Sequence, residues 1–378
     1  MPRKIIFIGP AYPYRGGIAA FNENLATTFQ NNGWECKIFT FSQQYPNMLF
    51  PGKTQLTTED PKPNLTIQRG IYSMNPLNWI KISKQIVSEM PELVITQYWM
   101  PFMAPAFGTI LRGIKKELPS VKIITIVHNF KPHESRIGDK QLNKYISNRT
   151  DLLVCLSDSV LKEITSTISS KPVVQLFHPI YDHYGEKLDQ NLAKEKMGWS
   201  PTTKYLVFFG LVRAYKGLDV LLEGLSYISD KHDYKLVIAG EFYQDEEKYR
   251  KQITDLGLEE KVIIRNEYIP NEEIPSLFCS ASCIVLPYRT ATQSGVVPIA
   301  LHFENHVIVT RVGSLSSIIE KHQLGIVTDP NPKALGSAIE KFLNNEIPLK
   351  SDFNSIKNDL SWQTFYTHLL DKTDLHEL

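Results

Sequence analysis

The sequence predicts an α/β protein made of two doubly wound domains, each built around a parallel sheet. The chain has 378 residues, which is more than a single hydrophobic core usually serves. Short apolar runs alternate with longer segments of helical periodicity, a pattern typical of parallel strands joined by crossover helices. After a polar stretch, the alternation starts again near residue 204, which indicates a second domain.

The first half contains runs so apolar that both faces of each predicted strand must be covered. Between the first two runs, Phe21, Leu25 and Phe29 recur near helical spacing, and Gly33 stops the pattern. This is one βαβ unit. The predicted strands are residues 4–9, 36–41, 93–97, 122–129 and 152–157.

The second half repeats the pattern with a new series of apolar runs and ends in a predicted helix at 360–374. We therefore expect an N-terminal domain at 1–180, a second domain at 200–360 and a C-terminal helix within 361–378. The predicted strands are residues 204–210, 234–240, 261–266, 283–288, 306–311 and 325–328.

Composition and charge are those of an ordinary globular protein. The net charge is +1, but residues 1–190 hold 21 Lys and Arg against 15 Asp and Glu. No run reaches the ~18 apolar residues of a spanning helix, and we read no signal peptide at the N-terminus. The four cysteines lack the spacing of a zinc site. We expect a cytoplasmic protein with reduced thiols, with weak attraction to the inner face of the cell membrane as one option.

The loop at 210–217 brackets two cations with two glycines. Arg213 and Lys216 stand three residues apart after a predicted strand, between Gly210 and Gly217. Because glycine lets the backbone turn and lets a ligand approach, this loop suits an anion. A ligand would lie where the carboxyl ends of parallel strands meet.

Two further features in the first half indicate ligand contact. Gly16 and Gly17 open the first helix, so their backbone amides are available to an anion. His128 ends a parallel strand, where its ring would face the ligand. A plain loop and a structural histidine are the alternative interpretations. The dinucleotide fingerprint G-x-G-x-x-G is absent from the sequence.

A second anion site is predicted in the stretch 286–303. A strand is followed by small polar residues and then by an apolar helix, with Pro298 in its first turn. Ser294 and Gly295 leave backbone amides open to an oxyanion. Together with Arg213 and Lys216, this site suits a diphosphate.

These features together resemble the glycosyltransferases of family 4. The resemblance is carried by the paired glycines at 16 and 17, by His128 and by G-x-x-R-x-x-K-G at 210–217. It also includes N-E-E-I-P-S-L-F-x-x-A followed by L-P-Y-x-x-x-x-Q-S-G-V-V-P, between 271 and 298. It covers nearly the whole chain. It implies the GT-B architecture: two Rossmann-like doubly wound domains facing a central cleft, with the C-terminal helix crossing back to the first domain.

The resemblance also implies site roles. Arg213 and Lys216 would hold the diphosphate of a nucleoside-diphosphate sugar and stabilise the leaving phosphate. Tyr268 and Ile269 would line the pocket for the base, and His128 would contact the donor sugar. Family members retain anomeric configuration and need no metal or other cofactor. The residues matching the contacts to phosphate and donor sugar are Gly16, Gly17, Gln293, Ser294, Gly295 and Val296.

One position departs from the family pattern Glu-x7-Glu, whose second glutamate holds the donor ribose. Here the two positions are Gln293 and Leu301. Leucine cannot accept a hydrogen bond, so the ribose is held by Glu304 or Glu241 or is not held at all, and the identity of the donor stays open.

We therefore expect a metal-independent, retaining glycosyltransferase that acts on a saccharide or lipid-linked acceptor in polysaccharide or glycoconjugate biosynthesis. A non-catalytic GT-B homologue that binds nucleotides or saccharides is one alternative. Another GT-B enzyme, such as a phosphorylase or an epimerase, is a second. We expect no nucleic-acid partner.

Overall fold

The structure is a computed structural model. It divides into two compact units, one formed by the residues up to His178 together with those from Trp362 onward, the other by Pro179–Ser361. The residues it describes are 3–45, 56, 64–131, 137–181, 184–243, 246–291, 294–313, 315–349 and 353–373.

The first unit contains a parallel sheet of seven strands within the described residues, in the order β3-β2-β1-β4-β5-β6-β7. Its strands are β1 (Lys4–Ile8), β2 (Glu35–Gln43), β3 (Thr66–Tyr72), β4 (Leu93–Tyr98), β5 (Lys122–Val127), β6 (Leu152–Cys155) and β7 (Val173–Gln175). Its helices include α1 (Gly17–Asn31), α2 (Pro76–Ser88), α3 (Ala104–Glu117), α4 (Asp139–Ser147) and α5 (Asp158–Thr165).

The second unit contains a parallel sheet of six strands within the described residues, in the order β10-β9-β8-β11-β12-β13. Its strands are β8 (Lys204–Phe209), β9 (Tyr234–Ala239), β10 (Val262–Arg265), β11 (Cys283–Leu286), β12 (Val307–Thr310) and β13 (Gly325–Thr328). Its helices are α6 (Gln190–Lys196), α7 (Leu218–Leu225), α8 (Glu246–Asp255), α9 (Ile274–Ser280), α10 (Val296–His302), α11 (Leu315–His322), α12 (Pro332–Leu343) and α13 (Asn354–Asp359).

The predicted fold class is confirmed, because both sheets are parallel and both are doubly wound. In each sheet the first strand of the unit pairs with the second strand on one side and with the fourth on the other. Thus β1 lies between β2 and β4, and β8 lies between β9 and β11. The strand order reverses at these pairs, and ligands of such sheets bind beyond the carboxyl ends of the strands at this point.

The last helix of the described chain, α14 (Trp362–Asp371), belongs to the first unit and packs on α1. The ring of Trp362 lies 5.0 Å from that of Phe21, centroid to centroid, and the ring of Tyr366 lies 4.8 Å from that of Phe29. Edge-on aromatic packing of this kind stabilises a contact beyond the area that it buries.

Two strands were missing from the sequence prediction, β3 and β7. Strand β3 is the outer neighbour of β2 and is only partly buried, so it lacks the continuous apolar run of the central strands. Strand β7 has three residues, too few for a pattern.

The four cysteines are free and buried, as predicted. Among the residues that the structure describes, no helix is both long enough and apolar enough to cross a membrane.

Candidate active site

The cation-bearing loop predicted at 210–217 connects β8 to α7 at the point where the strand order of the second sheet reverses. Gly210 has φ +93° and Gly217 has φ +68°, conformations that favour glycine. Between them, Ala214–Lys216 form one turn of 3-10 helix.

This loop packs directly on the segment that leaves β11. A Cβ on Gly217 would overlap the carbonyl oxygen of Pro287, so the two backbones are in contact. The amide of Arg289 donates to the carbonyl of Tyr215 at 2.7 Å. The neighbouring strand exits are therefore in direct backbone contact.

Lys216 is a buried ionisable group of the second unit. Its side chain is 8% exposed, and the ammonium lies 5.7 Å from the centre of the Tyr288 ring. A Cβ on Gly210 would stand 2.9 Å from Nζ, so the glycine makes room for it. Burial, and then the charge of Arg213, lower the pKa of Lys216 to about 7. Within the described part of the chain, no carboxylate pairs with this ammonium.

Arg213 is held beside Lys216 by the loop that follows β9. Its guanidinium carbon lies 4.1 Å from the centre of the Tyr243 ring, a stacked cation–π arrangement. The amide of Tyr243 donates to the carbonyl of Val212 at 3.1 Å, and the amide of Val212 donates to the carbonyl of Glu241 at 2.9 Å. The cation is thus positioned by an aromatic face and a short backbone ladder.

The small-residue segment after β11 begins α10, as predicted. Tyr288 is buried, and its hydroxyl lies 3.4 Å from the Ser294 hydroxyl. Ser294 Oγ also accepts from the amide of Val296 at 3.2 Å. The Val296 amide thus has a partner within the chain, the hydroxyl of Ser294. Gly295 is exposed, and Gln293 lies outside the described residues.

The predicted base-pocket residues follow β10 at the same edge of the sheet. Tyr268 is exposed and Ile269 is buried. The amide of Phe242 donates to Asn266 Oδ1 at 2.9 Å, which ties the exits of β9 and β10 together. Tyr268 and Ile269 therefore belong to the row of loops that carries Arg213.

The two ribose candidates have different surroundings. The carboxylate of Glu304 lies between the ammonium groups of Lys187 and Lys357, the latter at 2.6 Å. Burial alone would raise the pKa of Glu304, but the two lysines lower it below its ordinary value. Glu241, by contrast, lies in the backbone ladder beside Arg213. Leu301 is buried.

In the first unit, Gly16 and Gly17 mark the beginning of α1 and both are exposed. Gly16 has φ +117°. The loop before them is tied to α1 by a half-buried carboxyl, because Glu23 accepts a hydrogen bond from the Tyr12 amide at 2.5 Å. Burial raises the pKa of Glu23 to about 7, although this hydrogen bond acts in the opposite direction.

His128 follows β5 and ends a buried chain of hydrogen bonds. Its Nε2 lies 2.8 Å from Gln97 Oε1, and Gln97 Nε2 donates to Asn22 Oδ1 at 3.1 Å. Asn22 Nδ2 donates to the carbonyl of Pro10 at 3.0 Å. Burial, and then the nearby His178, lower the pKa of His128 to about 3, so the ring is neutral at physiological pH.

Sequence reasoning did not find Gln97, Asn22, Glu23 or Tyr243. Gln97 carried a usable signal, since it is a polar residue near the carboxyl end of a buried parallel strand, as His128 is. The other three had no signal of that kind, because their partners in the site are defined only by the fold.

Two family profiles match the chain. The profile described as "Glycosyltransferase Family 4" matches residues 15–183, and the profile described as "Glycosyl transferases group 1" matches residues 189–358. The chain belongs to the group 1, family 4 glycosyltransferases. The resemblance noted from the sequence motifs is thereby confirmed.

The relatives extend over nearly the whole chain. The glycosyltransferase is 22% identical, over 91% of its own chain and 90% of the relative, to the putative teichuronic acid biosynthesis glycosyltransferase TuaC of Bacillus subtilis (strain 168). Among solved structures, a sucrose-phosphate synthase from Thermosynechococcus elongatus has a TM-score of 0.78 at 13% identity, covering 100% of both chains. Anabaena Alr3699/HepE in complex with UDP and glucose has a TM-score of 0.74 at 13% identity, also covering 100% of both.

These likenesses show the GT-B fold and confirm the predicted architecture of two Rossmann-like domains. The protein is a glycosyltransferase of GT-B type. Its predicted second-unit residues, apart from Gln293 and Glu304, lie at the carboxyl edge of one sheet, in neighbouring loops and at the first residue of α10, Val296.

We expect Gly217→Ala to destabilise the glycosyltransferase more than Gly257→Ala does. Both glycines have positive φ, +68° and +65°, so alanine is strained at either position. At Gly257 an added Cβ meets open space, whereas at Gly217 it meets the Pro287 carbonyl. The difference should be about 1–3 kcal/mol in the free energy of unfolding of the second unit, measured with urea. Equal losses in the two variants would show that the loops are not in contact.

Proposed function

We propose that this glycosyltransferase moves a sugar, with retention of anomeric configuration and without a metal ion, from a nucleoside-diphosphate sugar to a saccharide or lipid-linked acceptor. The observation that carries the proposal is the buried ammonium of Lys216 beside Arg213, without a carboxylate partner in the described chain.

A buried cation without a counter-charge is costly, because the ammonium has lost its hydration. The cost is recovered when an anion binds. Two cations whose charges repel each other favour a ligand of two negative charges, and a diphosphate supplies them. The same pair would stabilise the charge that develops on the leaving diphosphate when the glycosidic bond breaks. Lys216 and Arg213 thus supply the neutralisation that a divalent cation gives in other transferases.

The remaining site residues receive supporting roles in this proposal. Backbone amides at Ser294 and Gly295 contact the phosphates, and Tyr268 and Ile269 line the base. Glu241 is the better of the two ribose candidates, because its backbone lies in the ladder beside Arg213. In the first unit, Gly16 and Gly17 contact the substrate through their amides, and His128 contacts a sugar hydroxyl.

For the identity of the substrates, the relatives suggest where to begin. HepE is described with UDP and glucose, which makes UDP the first nucleotide to test. TuaC is named for teichuronic acid biosynthesis, which supports an acceptor in polysaccharide or glycoconjugate synthesis.

We expect Lys216→Met to abolish nucleotide binding while raising stability. Removing an unpaired buried charge should raise the free energy of unfolding by about 1 kcal/mol or more. Calorimetric titration with UDP, GDP and ADP in EDTA would measure binding, and Arg213→Ala should weaken it at least tenfold.

The matched control is Lys194→Met. Lys194 is also buried, but its ammonium donates to the carbonyls of Pro201 and Thr203 at 2.9 and 3.0 Å. Its loss should lower stability by about 1–3 kcal/mol and leave nucleotide affinity unchanged. If wild-type protein binds no nucleotide in EDTA or in Mg²⁺, the proposal that Lys216 and Arg213 bind a diphosphate is wrong. A non-catalytic saccharide binder then becomes the better account.

We also expect nucleotide binding to take up a proton at pH 8. With a pKa of about 7, Lys216 is mostly neutral at that pH in the free protein, and the diphosphate favours its ammonium form. Affinity should therefore fall as pH rises above 7, by up to ~tenfold per pH unit. The binding enthalpy should differ between two buffers with different heats of ionisation. An enthalpy independent of buffer at pH 8 would contradict a neutral Lys216.

We propose further that helix α2 brings the protein to an anionic membrane surface. Leu77 and Ile80 are 79% and 49% exposed, and they share one stripe of the helix with the exposed Lys81 and Lys84. Within the described residues neither lysine forms an ion pair. Apolar side chains flanked by cations suit the interface of an anionic bilayer, where each cation contributes about 1 kcal/mol.

We expect Lys81→Glu/Lys84→Glu to lose co-sedimentation with phosphatidylglycerol vesicles. Lys248→Glu/Lys251→Glu on α8 makes the same change in net charge at another place and should retain it. Leu77→Ser/Ile80→Ser should weaken binding as well. Equal loss in both charge variants would mean that net charge alone drives association, and no binding by wild-type protein would remove the proposal.

A further inference from the structure

The buried hydrogen-bond chain that ends at His128 has only one consistent direction. It begins at the carbonyl of Pro10, which can only accept, so the Asn22 group facing it is the amide NH₂. Asn22 therefore turns its oxygen to Gln97, which must donate with Nε2 and offer its own oxygen to His128. The ring nitrogen facing Gln97 must then carry the proton.

This direction fixes the tautomer of the ring. Nε2 of His128 is the N–H donor, and Nδ1 carries the lone pair. Because the neighbouring groups are a neutral amide, an aromatic ring and His178, nothing in this set favours the imidazolium form. Asn22 and Gln97 are fully buried, so the chain is shielded from competing water.

Packing also holds the chain in place. A Cβ on Gly9 would stand 2.9 Å from Cγ and 3.0 Å from Cβ of Gln97, so only glycine leaves room for this side chain. The ring of Phe21 meets the His128 ring edge-on, with centroids 4.9 Å apart. The imidazole is thus fixed in orientation from two sides.

We infer that Gln97 and Asn22 are positioning residues that hold His128 as the neutral Nε2–H tautomer, so that a saccharide hydroxyl recognised by this histidine must donate to Nδ1. This inference rests on the proposed function of His128. It adds that sugar recognition here is by a hydrogen-bond acceptor, and that the acceptor is coupled through Asn22 to the loop that begins at Pro10.

The variant that tests it is Gln97→Glu, which has nearly the same shape. A carboxylate at this position can only accept: it accepts from Nε2–H of His128, stabilises the imidazolium form and turns Nδ1 into a donor, whereas Asn22 Oδ1 loses its donor. ¹⁵N NMR of His128 should show the Nε2–H tautomer in wild-type protein at pH 7 and the protonated ring in the variant. Turnover of sugar transfer should fall at least tenfold, while UDP affinity changes less than twofold.

A double-mutant cycle separates positioning from a merely structural role. In a His128→Ala background, Gln97→Glu should lower turnover no further, because its effect acts through the ring. The same loss in both backgrounds would overturn the inference, as would an Nδ1–H tautomer in wild-type protein. If wild-type protein transfers no sugar, the proposed function fails, and the NMR spectra still decide whether Gln97 sets the tautomer.

Discussion

The second unit depends on the packing of one loop against the backbone of its neighbour. Gly217 lies on the Pro287 carbonyl, and the residue before it, Lys216, is buried near the ring of Tyr288. The ammonium is then deprived of water and lies beside a second cation. A protein retains such an arrangement at a cost to its own stability, and the cost is offset when an anion occupies the site. The loop geometry, the lowered pKa and the proposed affinity for a diphosphate therefore have one origin.

The two units use buried polar groups in opposite ways. In the second unit, the ammonium of Lys216 has no carboxylate partner in the described chain, so an anionic ligand would gain the full electrostatic attraction on binding. In the first unit, each hydrogen bond of the chain from Pro10 to His128 joins a donor to an acceptor, so the chain fixes orientation without adding charge. The first arrangement suits a group that must neutralise developing charge. The second suits a group that must distinguish one hydroxyl from another.

The sequence was sufficient for the central strands, for the glycine-bracketed loop at 210–217 and for the family, because apolar runs and short motifs are local signals. It was insufficient for β3, whose outer position removes the apolar run. It was also insufficient for the hydrogen-bond chain, since Asn22 and Gln97 are 75 residues apart and become neighbours only when β1 and β4 pair. Glu304 illustrates the converse: its sequence position near α10 suggested a ribose contact, but lysines 117 residues before it and 53 after it form ion pairs with its carboxylate. Local pattern identifies loops, whereas partners across the fold decide what their side chains can do.

Because of Glu23, the folded and the unfolded glycosyltransferase bind different numbers of protons at the same pH. In the unfolded chain this carboxyl titrates near its ordinary value of 4.5, whereas in the folded chain its pKa is about 7. Between these values folding takes up a proton. The contribution of Glu23 to stability is therefore complete below pH 4.5 and is lost as pH rises through 7. The loop between β1 and α1 is anchored at Tyr12 by an acceptor that changes charge close to neutrality, so the anchor loses this contribution before the solution becomes alkaline.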